Sequence, residues 1–135
     1  MNETTPDAVR RNDVELARIK AIAESGDDRP VVMLNLNRYA PDSGFPDGGL
    51  YHDYMDALSR LLPEVGAKIL WRSPVHGQVV GEQPVHEVLA VWYPSHAAFV
   101  AMPQAAGADK NYSLRAQCVA YAVIHRCDGD RPPLC

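Results

Sequence analysis

The stretch Val31-Val32-Met33-Leu34-Asn35-Leu36-Asn37-Arg38-Tyr39 constrains this chain more than any other. Apolar residues dominate the run between Pro30 and Pro41, which predicts a strand with side chains alternating between two faces. The faces differ. Val32, Leu34 and Leu36 point one way and read as plain core. Val31, Met33, Asn35 and Asn37 point the other way, and that face turns polar towards its C-terminal end. Asn is depleted in strand interiors, so two on one side of a strand call for a physical reason.

The segments that follow fix the topology. Residues 50–62 form an amphipathic helix, with Tyr51, Tyr54, Met55, Leu58, Leu61 and Leu62 on one stripe, ended by Pro63 and Gly66. Residues 67–71 are a second strand, bent near Pro74 and resumed over 76–80. Gly81-Glu82-Gln83-Pro84 makes a hairpin loop into a third strand at 88–93. Pro94 stops that strand, and Ser95 caps a helix running through Met102. Residues 105–110 read as a small-residue loop, 112–117 as a short helical turn and 119–126 as the last strand. Upstream, Thr5-Pro6-Asp7 looks like a helix start, and residues 13–24 continue it with Leu16, Ile19 and Ala23 on a narrow stripe. The expected division is an N-terminal extension (1–29), a folded domain (30–127) and an irregular tail (128–135).

The order β-α-β-β-α-β predicts an α+β, ferredoxin-like fold: an antiparallel four-stranded sheet with helices on one face. The other face, assigned here to Val31 and Met33, is too apolar for a small monomer to leave in water. A two-fold homodimer, two such sheets closing into a dimeric α/β barrel, is the expected solution. In that arrangement Asn35 and Asn37 face the barrel cavity.

Composition narrows the function. With 135 residues there is room for one ordinary domain, and a net charge of −4 speaks against a nucleic-acid partner. Three cysteines, Cys118, Cys127 and Cys135, are an odd number with no CxxC pair, which fits reduced thiols in a cytoplasmic protein. Residues 1–11 carry no apolar h-region and no run suits a membrane span, so neither a secretory signal nor a membrane partner is expected.

Three short stretches carry a family resemblance: residues 32–39, then Ala90-Val91-Trp92-Tyr93-Pro94-Ser95 with Phe99 following, and Tyr112-Ser113-Leu114-Arg115 just before the last strand. Together they resemble the DUF1330 family of uncharacterised bacterial proteins, over roughly residues 30–127. Val65-Gly66-Ala67-Lys68 stands where many members have Gly-Gly-Arg, His86 stands where an acidic residue is expected, and the segment from Met102 to Tyr112 is longer than usual. The resemblance implies the dimeric α/β-barrel superfamily. That group includes cofactor-free monooxygenases, haem-degrading enzymes, muconolactone-isomerase-like enzymes, polyketide cyclases and stress-responsive proteins.

The candidate catalytic residues are Asn35, Arg115 and His125. Asn35 would hold a ligand carbonyl or an oxyanion, against the alternative of satisfying buried backbone. Arg115 lies three residues after Tyr112, on the same side of a helical turn. It would grip a carboxylate or enolate, against the alternative of a salt bridge to Asp53, Asp56 or Asp109. His125 shares strand parity with Tyr121 and Val123, could reach the barrel mouth, and would act as general base. Asn37, Tyr54, Trp71, Trp92, Tyr93, Tyr112 and Tyr121 are candidate ligand-contact residues, the aromatics doubling as core or dimer-interface groups. A four-residue loop would pair Val79 with His86, placing His76 and His86 on opposite faces. His52 and His96 read as surface residues, and Arg38 and Arg72 as solvated edge charges. No metal-binding spacing is present, and no cofactor is expected.

Three functions follow. The first is a cofactor-independent enzyme of oxygenase, isomerase or cyclase type, working on a small molecule through an enol or enolate. The second is a non-catalytic small-molecule-binding or stress-response dimer. The third is haem binding or degradation, with His76, His86 or His125 as axial ligand.

Overall fold

The computed structural model describes residues 11–130. Within them run α1 (Asp13–Glu24), β1 (Val31–Tyr39), α2 (Gly49–Leu61), β2 (Lys68–Pro74), β3 (Glu87–Tyr93), α3 (His96–Ala101), α4 (Ala108–Cys118) and β4 (Val119–Asp128). The four strands make one antiparallel sheet in the order β2-β3-β1-β4. This is the ferredoxin-like α+β arrangement, with β1 and β3 adjacent at its centre. The expected helix start at Thr5-Pro6 lies outside the described residues.

Which face of β1 meets the helices is the reverse of the sequence expectation. Val31, Met33, Asn37 and Tyr39 are buried against the helical layer, while Val32, Leu34 and Leu36 are half-buried on the open face. Register carries this across the sheet. Val31 opposes Tyr93, Met33 opposes Val91, Asn35 opposes Leu89 and Asn37 opposes Glu87, so all four pairs lie on the helix side. Alternation defines two sets of side chains, and the packing of α2 and α4 decides which set is covered.

The reversal works because Glu87, the charged residue that β1 and β3 place on the covered side, finds partners. The Glu87 carboxylate is 3% exposed. It accepts hydrogen bonds from the Tyr39 hydroxyl at 2.6 Å and from the Tyr51 hydroxyl at 2.8 Å. Arg72 donates to the Tyr51 hydroxyl at 2.7 Å and lies 3.5 Å from the carboxylate, so this half-exposed edge charge is paired as well as solvated. A buried carboxylate paired and bonded in this way avoids most of its desolvation penalty.

Three further elements differ from expectation. Residues 76–80 do not resume β2; Val79 and Val80 stand fully in solvent. The ladder ends where Pro74 opposes Glu87, and beyond that point β3 offers no strand to pair with. The expected Val79–His86 pairing is therefore absent. The second difference is α4, which is a helix from Ala108 rather than a turn from Tyr112. Its first turn is capped from afar: the Glu64 carboxylate accepts from the Gly107 N–H at 3.2 Å, a partner that local sequence does not reveal. The third is His96, which is 6% exposed rather than on the surface. Its Nδ1 lies 2.9 Å from the Asp28 carboxylate, which also accepts from the His96 and Ala97 N–H groups at the start of α3.

The α1 helix is more than an appendage. Asn12 caps it by accepting from the Glu15 N–H at 3.1 Å, and it packs on α3. Its Glu15 carboxylate is paired with the Arg126 guanidinium of β4. Among the described residues no helix is long and apolar enough to cross a membrane.

Candidate functional site

Between the sheet and the helices lies a cavity of about 760 Å³, large enough for a small organic molecule. The floor is the polar-turning face of β1, through Met33, Asn35 and Asn37, with Leu89, Val91 and Tyr93 of β3 and Ala122, Ile124 and Arg126 of β4 beside it. The roof is helical. Leu16 and Ile19 of α1, Tyr54 and Leu58 of α2, Phe99 of α3, and Asn111, Tyr112 and Arg115 of α4 close it. The body of the cavity is thus apolar, with a few polar groups converging on it.

Asn35, Asn37, Tyr54, Tyr93, Tyr112 and Arg115 all line this space, so six of the expected site residues are brought together. They meet inside one chain, between sheet and helices, and not in a barrel shared by two subunits. Trp71, Trp92, Tyr121 and His125 are not among them. Trp71 pairs with Ala90, Trp92 with Val32 and His125 with Leu34, so these three stand on the open face of the sheet. Tyr121 joins them there, with the Arg38 guanidinium 5.2 Å from its ring centre. The parity that grouped His125 with Tyr121 was right; that parity points away from the cavity. His76 and His86 do not line the cavity either. Instead, the His86 ring accepts from the Tyr39 N–H at 2.9 Å and stacks on Phe45.

The electrostatics of the site centre on Arg115. Tyr112 and Arg115 sit three apart on α4, as their spacing suggested. None of Asp53, Asp56 or Asp109 forms an ion pair with Arg115; Asp56 is held by Arg60 at 3.0 Å. Among the described residues Arg115 has no carboxylate partner. It lies beside the Tyr54 hydroxyl and within electrostatic reach of the Tyr112 hydroxyl. Burial pushes both phenols upward, outweighing the opposing pull of Arg115, so at neutral pH both are hydrogen-bond donors. The one carboxylate among the described residues of the lining, Glu15, is held below the ordinary carboxylate range, chiefly by its hydrogen bond from Arg126.

The two strand asparagines are not arranged as oxyanion donors. Asn35 donates its Nδ2 to the Met33 carbonyl at 3.0 Å. Asn37 donates its Nδ2 to the Tyr39 hydroxyl at 3.4 Å. Sequence reasoning missed Asn111, Glu87 and Tyr39. Glu87 carried a signal, because it shares parity with the buried Leu89 and Val91. Asn111 carried none while its helix was unrecognised. No group of three or more His, Cys, Asp or Glu among the described residues is placed to hold a metal ion.

Fold and cavity together define an α+β, ferredoxin-like protein with an internal pocket. In structure the chain is similar to the RPA0582 protein of unknown function from Rhodopseudomonas palustris, with a TM-score of 0.73 and 23% identity over 92% of this chain and 98% of that one. It is equally similar to the methylated RPA0582 protein, with a TM-score of 0.73 and 24% identity over 92% and 96% of the two chains. At such identity the likeness speaks for the fold alone. No protein-family model matches the chain, and no curated protein does.

Proposed function

We propose that this chain binds a compact organic anion in the cavity between sheet and helices and stabilises it as a carboxylate or enolate without a cofactor. The observation that carries the reading is Arg115, a cation facing the cavity with no acidic partner among the described residues and two phenol donors within its electrostatic reach. A guanidinium so placed recognises planar oxyanions through charge-assisted hydrogen bonds. Oxygenation, isomerisation and cyclisation through an enolate all draw on that stabilisation. Phenols with raised pKa values keep their protons and so donate to developing negative charge.

A second reading, binding without catalysis, is favoured by the missing base. His125 is on the other face of the sheet, and Glu15 is committed to Arg126. An enolate chemistry here would require a substrate acidic enough to lose its proton to solvent. Among the described residues no histidine lines the cavity, so a haem there would lack an axial histidine.

We further propose that a second copy of the chain covers the open sheet face. That face carries Val32, Leu34 and Leu36 at its centre, Trp92 beside them and Trp71, 47% exposed, near its edge. An apolar surface of that extent is costly in water and fits a two-fold partner.

Titration with a panel of keto acids in D2O, followed by NMR, tests the functional reading. Saturable binding with faster deuterium exchange at the carbon next to the keto group supports the enzyme. Binding without exchange supports the binding protein. Arg115→Ala should weaken affinity about 10–100-fold in either case. An unchanged affinity in that variant, or no binding by any acid, would sink the reading.

A further inference from the structure

One polar group on the cavity floor has had its hydrogen-bonding sense fixed by the fold. The Tyr39 hydroxyl spends its single proton on the buried Glu87 carboxylate, at 2.6 Å. Towards Asn37 it can therefore act only as an acceptor, and it receives the Asn37 Nδ2–H at 3.4 Å. That contact orients the amide. Turning it over would set the Asn37 oxygen against a hydroxyl oxygen with no proton left to offer. Asn37 thus presents Oδ1 as its free group. The residue is 1% exposed, it lines the cavity, and Oδ1 has no hydrogen-bond partner. A buried acceptor left unmet costs about 1–3 kcal/mol.

Across the same cavity stands Asn111 of α4, 2% exposed, whose Nδ2 is also without a partner. Its side chain makes no hydrogen bond among the described residues, so nothing fixes the sense of that amide. These groups offer three kinds of polar contact. Arg115 with the two phenols suits an anion, Asn111 suits either a donor or an acceptor, and Asn37 suits only a donor.

We propose that the ligand is a hydroxylated organic anion, and that Asn37 is the specificity-determining residue that accepts a hydrogen bond from its hydroxyl or enol O–H. This rests on the anion-binding reading above and adds the second functional group to it. A carboxylate, carbonyl or ether oxygen at this spot would meet Asn37 lone pair against lone pair. An ammonium would also satisfy Asn37, but Arg11, Lys20 and Arg115 line the same cavity and oppose a cation there. A hydroxyl donates to Asn37 without adding positive charge. Glu87 and Tyr39 act through Asn37 as positioning residues and do not touch the ligand. A site built to bond a ligand hydroxyl discriminates against the analogue that lacks it, because the protein group is then left buried and unpaired.

The test is a matched titration of the full chain by calorimetry. The probes are phenylpropanoate and its ortho, meta and para hydroxy analogues, with heptanoate and its terminal hydroxy analogue as the flexible pair. At least one hydroxy acid should bind about 10-fold or more tighter than its parent. Asn37→Leu should abolish that preference. Tyr39→Phe should narrow it, because the amide is then free to turn, and this variant carries the test if Asn37→Leu does not fold. Arg115→Lys should weaken both members of a pair alike. If parents and hydroxy acids bind equally to the unaltered protein, a water occupies Asn37 and the proposal is overturned. A preference that survives both Asn37→Leu and Tyr39→Phe overturns it too. If no carboxylate of either kind binds, the anion-binding reading falls as well.

Discussion

The two faces of the central sheet are built from the same strands and behave oppositely. The covered face mixes apolar residues with Asn35, Asn37 and Glu87, and encloses the cavity. The open face is apolar at its centre: Val32, Leu34, Leu36, Val88, Ala90, Trp92, Val123 and Cys127, with Arg38, Lys68, Ser73, Tyr121 and His125 around them. By hydrophobicity alone, the second set should be the core and the first the surface. The comparison teaches that burial on a sheet is not assigned by counting apolar atoms. The helices dock where their stripes fit, and polar groups beneath them are tolerated when, like Glu87 with Tyr39, Tyr51 and Arg72, they find partners. Among the described residues no helix covers the apolar face.

Neighbouring residues on β1 give the sharpest way to break that contrast. Met33→Ala removes a buried side chain and should cost about 2–5 kcal/mol, while Leu34→Ala, studied in dilute protein, should cost less than about 1 kcal/mol. Urea denaturation reads both, and equal costs would mean the faces are not distinct in the isolated chain. A second experiment asks what covers the open face. Trp92→Glu should shift sedimentation from dimer to monomer with the circular dichroism spectrum unchanged, weakening association roughly 100-fold by leaving a buried charge unpaired. A parent protein that is already monomeric at high concentration would remove the dimer from consideration.

A smaller effect should appear at Cys127, exposed on the open face, in a Cys135→Ser background. Maleimide should label it about 10-fold more slowly in concentrated than in dilute protein if a partner covers it. Cys118 should stay unlabelled near neutral pH, because it is fully buried and burial pushes its thiol up to about 11. The smallest effect belongs to the Glu15–Arg126 pair that ties α1 over the cavity. Glu15 has a folded pKa below its ordinary 4.5, so its contribution is complete above that value and is lost as the pH falls through the folded pKa. For a partly exposed pair this amounts to less than about 1 kcal/mol. Glu15→Gln should flatten the acid limb of the stability curve by that amount, and an unchanged limb would show that the pair contributes nothing.

Local signals in the sequence were enough for most of the elements. The strand at β1, the amphipathic stripe of α2, the Ser95 cap of α3 and the alternation of β4 all depend on residues close together in the chain. So does the pairing of Tyr112 with Arg115 on one helical face. What failed were readings that depend on distant partners. The start of α4 is capped by Glu64, and the end of β2 is set by where β3 begins. His96 is buried because Asp28 reaches it.

The sequence by itself determined the order of elements, the ferredoxin-like class and the two sets of alternating residues on each strand, because each follows from the period of nearby side chains. The tertiary structure decided which set is covered, and with it the fate of the candidate site. Asn35, Asn37, Tyr54, Tyr112 and Arg115 were gathered into one cavity, while Trp71, Trp92, Tyr121 and His125 were turned to the opposite face. The physical reason is that a period-two pattern is symmetric between its faces. Only the docking of the helices, and the long-range hydrogen bonds that make Glu87 acceptable beneath them, breaks that symmetry.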